Sequence, residues 1–487
     1  MGNSNLETNQ HIVTPILQPR RKHYLKDATD YEKIIEVVRT NSISKGDYAL
    51  LRRYYEGYHN INFRGFDDET KPNNRVSHNF PKIIVDTATS YFTGIPVTYE
   101  SKNTKLLEEV QKINKTNHAD DVNSELDKLT NMFGHAFEIH WIEERNEKAI
   151  HRFKYISPEN GVIFYSPNML EIPVAFCLWI EREDATTKEK FYDIQLYDNK
   201  NVCKLTIDSS GEVVGIDEPT PHMFDSLPVV EFINNEERKS SFEMVITLID
   251  SYNKVVSDTI NDVEYWADSY LLLKDMSGTE SEDIAAMKQQ RVMLVEGTGD
   301  ASFLEKPAND KHLENIKDRL TQDIHKFAQV PNLHDEQFAA NLSGVAIKWK
   351  MKDLEDKTSQ KERKFTKSLA QRHELMQQIL AKKQILSASP DNETLEPTFV
   401  RNLPANLVEL AELASKVPPD LFSKQTLRAQ FPFKFDEKEE AARIKKEQEA
   451  SVEKEMGANP FLQKPPQGSN EPPKASDPSE PPKDDGK

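Results

Sequence analysis

Few residues of this chain stand at spacings that do chemistry. His135 and His140 lie in a segment that alternates apolar and polar residues. As strand residues an odd number apart they point to opposite faces, so they cannot share a metal ion and read as structural histidines. Asp208-Ser209-Ser210-Gly211 superficially resembles the start of a calcium loop, but the closing glutamate position holds Pro219, so the segment reads as a turn. Asp258 and Asp262 share a helix face, and an isolated pair of this kind reads as a solvated surface rather than as a general acid and base. There is no GxxxxGK[ST] phosphate loop, no GxGxxG after a strand, no HExxH and no GxSxG. Cys177 and Cys203 are the only cysteines and form no CxxC pair, so neither a zinc site nor a disulfide framework is expected, in keeping with a reducing cytoplasm. No catalytic residue, metal or cofactor is expected.

The elements that would carry such residues point the same way. At 487 residues the chain exceeds what one core serves, so two or more structural regions are expected. Hydrophobic residues make up 37% and charged residues 30%, with only 16 glycines, a balance that favours long, partly solvated helices. The net charge of −18 argues against a static grip on nucleic acid, which needs a basic stripe, but allows DNA as a passing cargo. The first thirty residues show no apolar core of a secretory signal. Leu6 stands where a myristoylation signal needs Ser or Thr. The longest purely apolar run, Val174 to Ile180, is far short of a membrane span, so no membrane partner is expected.

Residues 1–28 read as a loose polar arm. Thr29 with Glu32 forms a capping-box signature ahead of Tyr31, Ile34, Ile35 and Val38, and Ser44 precedes a second helix that stops at Gly57. Further helices are expected at Thr104–Asn114 and Asp120–Phe133, the latter ended by Gly134. The period then changes to two: His135–Trp141, Phe191–Tyr197 and Val202–Ile207 alternate, so 135–235 reads as a mostly antiparallel sheet layer on the preceding helices. From Phe242 a helical stripe returns (Val245, Leu248, Ile249, Tyr252, Val256, Val263, Tyr270), and a shorter one runs through Leu313, Ile316, Leu320, Ile324 and Phe327 to a stop at Pro331. The insert between them carries its own helix start at Thr279–Glu282 and two strands, Arg291–Val295 and Ala301–Leu304. Two antiparallel helices bearing a small α/β tip make a stalk with a cap. A polar stretch, Asn332 to Gly344, leads to a very long helix from about Val345 to Leu386. Short strands and turns are expected around 397–435, a highly charged helix over 436–456, and a disordered tail over 457–487, which holds eight prolines.

The run from Tyr54 to Tyr99 is the most distinctive. Tyr54-Tyr55-Glu56-Gly57-Tyr58-His59 leads through Lys71-Pro72-Asn73-Asn74-Arg75 to Asn79-Phe80-Pro81-Lys82-Ile83-Ile84-Val85-Asp86 and closes on Tyr91-Phe92-Thr93-Gly94-Ile95-Pro96. Asn79 is expected to cap a helix and Gly94 to end it as a left-handed residue, with Pro96 blocking continuation. In this order the residues closely resemble the portal proteins of tailed bacteriophages, in the branch from long-tailed phages of Gram-positive hosts. Leu227 to Arg238 resembles that family's entry into its first stem helix. Asn341-Leu342-Ser343-Gly344-Val345-Ala346-Ile347-Lys348 resembles the segment that joins the channel loop to the long wing helix, and Ser423 to Phe435 the end of the wing.

The resemblance implies a portal fold, α+β and mainly helical, with wing, stem helices, α/β clip and helical crown, assembling as a ring that is usually a dodecamer. It places the wing at 29–240 and 345–435, stem helices at 241–273 and 311–330, the clip at 274–310, the tunnel loop at 331–344 and the crown at 436–456. The implied role is a non-enzymatic channel at one vertex of the phage head, through which double-stranded DNA is packaged and ejected. Implied partners are the terminase, then the head-tail adaptor, with scaffold and major capsid proteins during assembly. The expected place is the head-tail junction of the virion, after assembly in the host bacterial cytoplasm. Asn332, His334, Asp335, Glu336, Gln337, Asn341, Ser343 and Gly344 would form the tunnel loop. Asp250, Asp258, Asp262, Glu264 and Asp268, against Lys254 alone, would line the stem. Asp275, Glu282, Lys288, Arg291, Glu296 and Asp300 would offer the clip's partner surface. A wall that repels phosphate would hold DNA weakly, as translocation requires. Two other readings stand beside this one: a nucleic-acid-processing motor or nuclease, which lacks its motifs here, and a coiled-coil scaffold, which the strand-rich 135–235 region opposes.

Overall fold

The computed structural model describes residues 17, 20, 22–26, 30–44, 46–65, 72–184, 187–267, 271–274, 282, 300–303, 310–333, 344–386, 395–403, 415–416, 440, 442–447 and 449. The chain divides into two compact units, Met1–Leu403 and Pro404–Lys487. In the second unit the described residues, which include 442–447 of the expected crown, are all helical. Ser423–Phe435 and the proline-rich 457–487 lie outside the described residues.

The first unit opens with α1 (Tyr31–Ser44) and α2 (Gly46–Tyr55), separated at Gly46, whose φ is +39°. The capping oxygen of α1 comes from Asp30, which accepts from the Lys33 amide at 3.3 Å; Thr29 lies outside the described residues. Next come α3 (Phe80–Thr93), α4 (Thr104–Thr116) and α5 (Ala119–Phe133). Asn79 caps α3 as expected, its side chain accepting from the Lys82 amide, with Pro81 in the first turn. Gly94 does not turn left-handed: its φ is −65°. Glycine fits there because a Cβ would come within 2.1 Å of the Ser90 carbonyl oxygen and 2.7 Å of the Asn402 amide nitrogen. The left-handed stop is Gly134 after α5, with φ of +92° and the Arg238 carbonyl pressed against it.

The expected single sheet layer is two sheets. One is three-stranded, in the order β11 (Val229–Ile233), β3 (His135–Arg145), β4 (Lys148–Ile156). The other is seven-stranded and runs β1 (His23–Tyr24), β5 (Gly161–Tyr165), β6 (Pro173–Glu183), β7 (Lys190–Tyr197), β8 (Asn201–Asp208), β10 (Thr220–Pro221), with β9 (Val213–Ile216) also paired to β8. Phe137, Ile139 and Val229 pack against Ile163 and Phe176 of the larger sheet, while Ala136 on the opposite face of β3 joins the helical core. A strand buried on both faces cannot show two layers through alternation alone. The N-terminal arm is also anchored: β1 (His23–Tyr24) pairs in parallel with β5 (Gly161–Tyr165), and Leu25 is fully buried beneath α1. The expectation of a loose arm over 1–28 therefore fails at 22–26.

After β11, α6 (Ile246–Ala267) starts inside the main core through Ile246 and Ile249, and α7 (Asp310–Ala328) returns to the same core through Ile324 and Ala328. The pair is thus antiparallel. Beyond α6 the chain turns to strand instead of continuing helical to 273: β12 (Leu271–Lys274) pairs antiparallel with β13 (Asp300–Phe303). The expected strand at 291–295 and the remaining tip lie outside the described residues, apart from helical Glu282. The very long helix is broken at Met351 into α8 (Gly344–Lys350) and α9 (Lys352–Lys382). Then β14 (Glu396–Thr398) pairs with β2 (Thr98–Glu100). Helices and strands together fit an α+β fold in which helix prevails.

Candidate functional site

Helix α6 carries most of the charged positions singled out by sequence that fall among the described residues, and it presents three different faces. Val245, Ile249, Leu248 and Tyr252 pack into the apolar core shared with α7. A second face holds Asp250, Asn253, Ser257, Asn261 and Glu264, spaced by three and four residues and so aligned along the axis. The extended segment 72–79, which connects the short helical turn Asn60–Phe63 to α3, lies along this face.

The contact is a ladder. The Asn74 amide donates to Asn261 Oδ1 at 2.7 Å, the Val76 amide to Ser257 Oγ at 3.0 Å, and the His78 amide to Asn253 Oδ1 at 2.8 Å. Every second connector residue thus meets every fourth helix residue. The physical basis is a match of repeats: two residues of extended chain advance about 6.6 Å and four of α-helix about 6.0 Å. The chain directions are opposed. Each rung satisfies a backbone donor that an unpaired connector would leave stranded.

Both ends of the ladder are tied by charge. Tyr54 donates its hydroxyl to both Asp250 oxygens at 2.7 and 2.8 Å, and Asn60 Nδ2 adds a third bond at 3.0 Å. Burial, then the Asp250 carboxylate, pushes the Tyr54 phenol well above its usual value, so it stays a donor. Asn253 Nδ2 donates to His59 Nδ1 at 2.8 Å, and the other ring nitrogen lies 3.1 Å from the Tyr54 carbonyl. That pattern assigns a neutral ring protonated at Nε2, and burial holds the His59 pKa below its usual value. Arg64 reaches Asp258 at 2.6 Å while its other nitrogens hold Asn73 and the Asn74 carbonyl. Asn74 Nδ2 reaches Glu264 at 2.6 Å.

The sequence-derived positions separate accordingly. Asp250, Asp258 and Glu264, expected to act as channel-lining carboxylates, bind earlier residues of the same chain (Tyr54 and Asn60, Arg64, and Asn74 respectively); Lys254 and Asp262 lie exposed on the third face. Asp268 lies outside the described residues. Of the tunnel-loop positions, Asn332 is half-buried just past α7, Gly344 is the first residue of α8 rather than part of a loop, and 334–343 lie outside the described residues. Of the tip positions, Glu282 is exposed and Asp300 opens β13 opposite Lys274, while Asp275, Lys288, Arg291 and Glu296 lie outside the described residues. Sequence reasoning missed Asn253, Ser257 and Asn261. Their four-residue spacing along one face of the helix was the available signal.

A second polar cluster fixes the scaffold behind this helix. Arg372 of α9 is fully buried and clasps Glu138 of β3 with two bonds, 2.8 and 2.6 Å, while its third nitrogen reaches Asn123 of α5 at 2.7 Å. Burial opposes ionisation of Glu138, but Arg372 and His140 hold its pKa down to about 2. His140 bridges Glu138 and His151 at 3.0 and 2.8 Å. Burial lowers His151 to about 2 and His373 to about 3, with His140 and Arg372 respectively adding to the effect. His135 is held apart from His140 by Glu231 at 2.8 Å and Tyr48 at 2.7 Å. Lys361 pairs with Asp127 Oδ1, which also accepts from Asn131 Nδ2 at 3.3 Å, while Oδ2 accepts from the Thr93 hydroxyl at 3.1 Å. Among the described residues no group of three or more His, Cys, Asp or Glu side chains is placed to hold a metal ion, and no helix is long and apolar enough to cross a membrane.

Comparison with known proteins fits this arrangement. The family model described as phage portal protein, SPP1 Gp6-like, matches residues 40–454. The portal protein of Bacillus phage SPP1 is 28% identical over 449 residues, covering 86% of each chain. The portal protein of Clostridium phage phiCD119 is 26% identical over 416 residues, covering 80% of this chain and 89% of that one. Among solved structures, a chain from the neck of an empty gene transfer agent particle, computed with C6 symmetry, aligns over 79% of this chain and 92% of its own at 12% identity and a TM-score of 0.39. A chain from the virion of a native gene transfer agent particle aligns over 81% and 98% at 13% identity and the same TM-score of 0.39. At that TM-score neither likeness bears on the architecture. The family match spans most of the chain, and the chain belongs to the SPP1 Gp6-like phage portal family.

Proposed function

We propose that this family member assembles as a dodecameric ring at one vertex of a phage head and conducts double-stranded DNA inward during packaging and outward at ejection. In this reading the protein is structural and non-enzymatic and resides at the head-tail junction of the virion. The observation that carries it is the family match over 40–454 together with the antiparallel α6–α7 pair that leaves the core and ends in a β-strand pair. Helices α6 and α7 would be the stem, and the segment between them the clip that docks first the terminase and then the head-tail adaptor. Residues 331–344 would supply the tunnel loop, and the wing would comprise the two sheets with α1–α5 and α9. Residues 436–456 would be the crown, and scaffold and major capsid proteins would meet the assembled ring.

The arrangement on α6 changes how weak DNA holding is achieved. Sequence alone suggests a repelling carboxylate wall, whereas three of those carboxylates are engaged by Tyr54, Arg64 and Asn74 of the same chain. A wall whose charges are paired offers few counterion-releasing contacts and so holds DNA weakly through neutrality. Negative-stain electron microscopy of the purified chain should show rings with a central hole, and duplex binding should stay weak even at low salt. Rods or compact monomers, or nanomolar sequence-independent duplex binding, would sink the reading.

A further inference from the structure

We propose that the 74–76–78 ladder selects which face of α6 meets the DNA: the stripe of Thr247, Ser251, Lys254, Asp258 and Asp262 faces the cargo, and Asp250 faces away from it. The inference rests on the reading of α6 as a channel wall and deepens it by naming the contact residues.

Three faces share the circumference of α6, and over its N-terminal half two are occupied within the chain. The apolar face packs into the core through Ile246, Leu248, Ile249 and Tyr252, while Ile260 and Val263 further along are exposed. The Asn253–Ser257–Asn261 face accepts the connector's amides. Thr247, Ser251, Lys254, Asp258 and Asp262 follow one another by four, three, four and four residues, so they form one axial stripe. Thr247, Ser251, Lys254 and Asp262 are exposed, and the Asp258 side chain is 48% exposed. Asp250 sits one step round the helix, where Tyr54 and Asn60 cover it. Rotation of α6 that would bring Asp250 outward breaks all three rungs at once, because each rung is a side chain on the same face.

The stripe is close to neutral. Arg64 offsets Asp258 at 2.6 Å, and Lys254 formally balances Asp262. Ser251 Oγ donates to the Thr247 carbonyl at 2.8 Å, which leaves a smooth small-residue surface around one ammonium group. A phosphodiester backbone passing this surface meets one mobile cation, Lys254, along the 22 residues of α6 rather than a continuous field. A lone ammonium steers the strand without arresting it.

Cysteine scanning of the full chain tests this, helped by the burial of both native cysteines, Cys177 at 0% and Cys203 at 4%. In the purified protein, Ser251→Cys and Lys254→Cys should react with a maleimide at rates near those of a free peptide. Asn253→Cys and Ser257→Cys should react slower by about tenfold or more, since labelling needs the connector to open. In DNA-filled heads, an aryl azide attached at 251 or 254 should photo-crosslink to DNA, and one attached at exposed Met169→Cys should not. Equal labelling of 253 and 254 overturns the ladder's role. Crosslinking of 251 and 254 to protein alone, in heads that still fill, overturns the inference and leaves the portal reading standing. If the wild-type chain neither forms rings nor fills heads, the portal reading fails and the inference falls with it, whatever the labelling contrast.

Discussion

The chain holds its two longest helices by opposite means. Helix α9 is fixed by full charges taken out of water: Arg372 is 0% exposed, with its guanidinium against Glu138 and over the rings of Phe153 and Phe232 at 5.0 and 5.5 Å. Helix α6 is held along one face by neutral amides and hydroxyls reading the backbone of the connector. A buried charge pair is close to all-or-none, because removing one partner strands the other in a low-dielectric interior. A ladder of neutral bonds is graded, each rung contributing about 0.5–1.5 kcal/mol. The first suits a scaffold that must not move. The second suits a helix whose rotation must be set while its neighbours slide past cargo.

The contrast can be broken at several points. Arg372→Met should destabilise the protein by about 3–5 kcal/mol, since Glu138 stays buried without its cation. Urea unfolding followed by tryptophan fluorescence measures this, and adding Glu138→Gln should recover much of the loss. Acid should act on the same cluster. His151 and His373 are held far below the ordinary 6.5, so the unfolded chain binds protons first as pH falls through that value. Stability present above pH 6.5 should therefore be lost at about 1.4 kcal/mol per histidine per pH unit below it. Glu138, lowered from 4.5 to about 2, adds a further loss in the same direction below pH 4.5. Thermal melts from pH 7.5 to 5 would show the decline, and a flat profile would contradict buried neutral histidines at 151 and 373.

The ladder should respond more mildly. Asn253→Ala removes the acceptor of the His78 amide and the donor to His59, and should cost about 1–3 kcal/mol. Amide exchange at His78 should quicken while Arg372-anchored segments stay protected. Lys254→Gln, on the exposed face, should change stability by about 0.5 kcal/mol or less. If it carries a large stability cost, the distinction between faces fails.

Local chemistry was the legible part of the sequence. The Asn79 cap, the Gly134 stop, the helices at 104–116 and 119–133, and the alternating strands 190–197 and 201–208 follow from propensity and period. What escaped involved distant partners. Gly94 reads as a left-handed stop until Asn402 is seen packed against it. His23–Tyr24 reads as loose arm until β5 offers it an edge. The α6 carboxylates were singled out as a group, yet their partners, Tyr54, Asn60, Arg64 and Asn74, lie far earlier in the chain, and no periodicity links the two segments. The block from Tyr54 to Tyr99 therefore does more than identify the family: its connector sets the face of the proposed stem.

The most direct test is a high-resolution cryo-electron microscopy map of the assembled protein. The account predicts a closed ring with α6 along a central hole, Ser251 and Lys254 toward the axis, and the 72–79 connector behind the helix. A ring with Asp250 turned to the axis and the connector detached, or the absence of a ring, would contradict it.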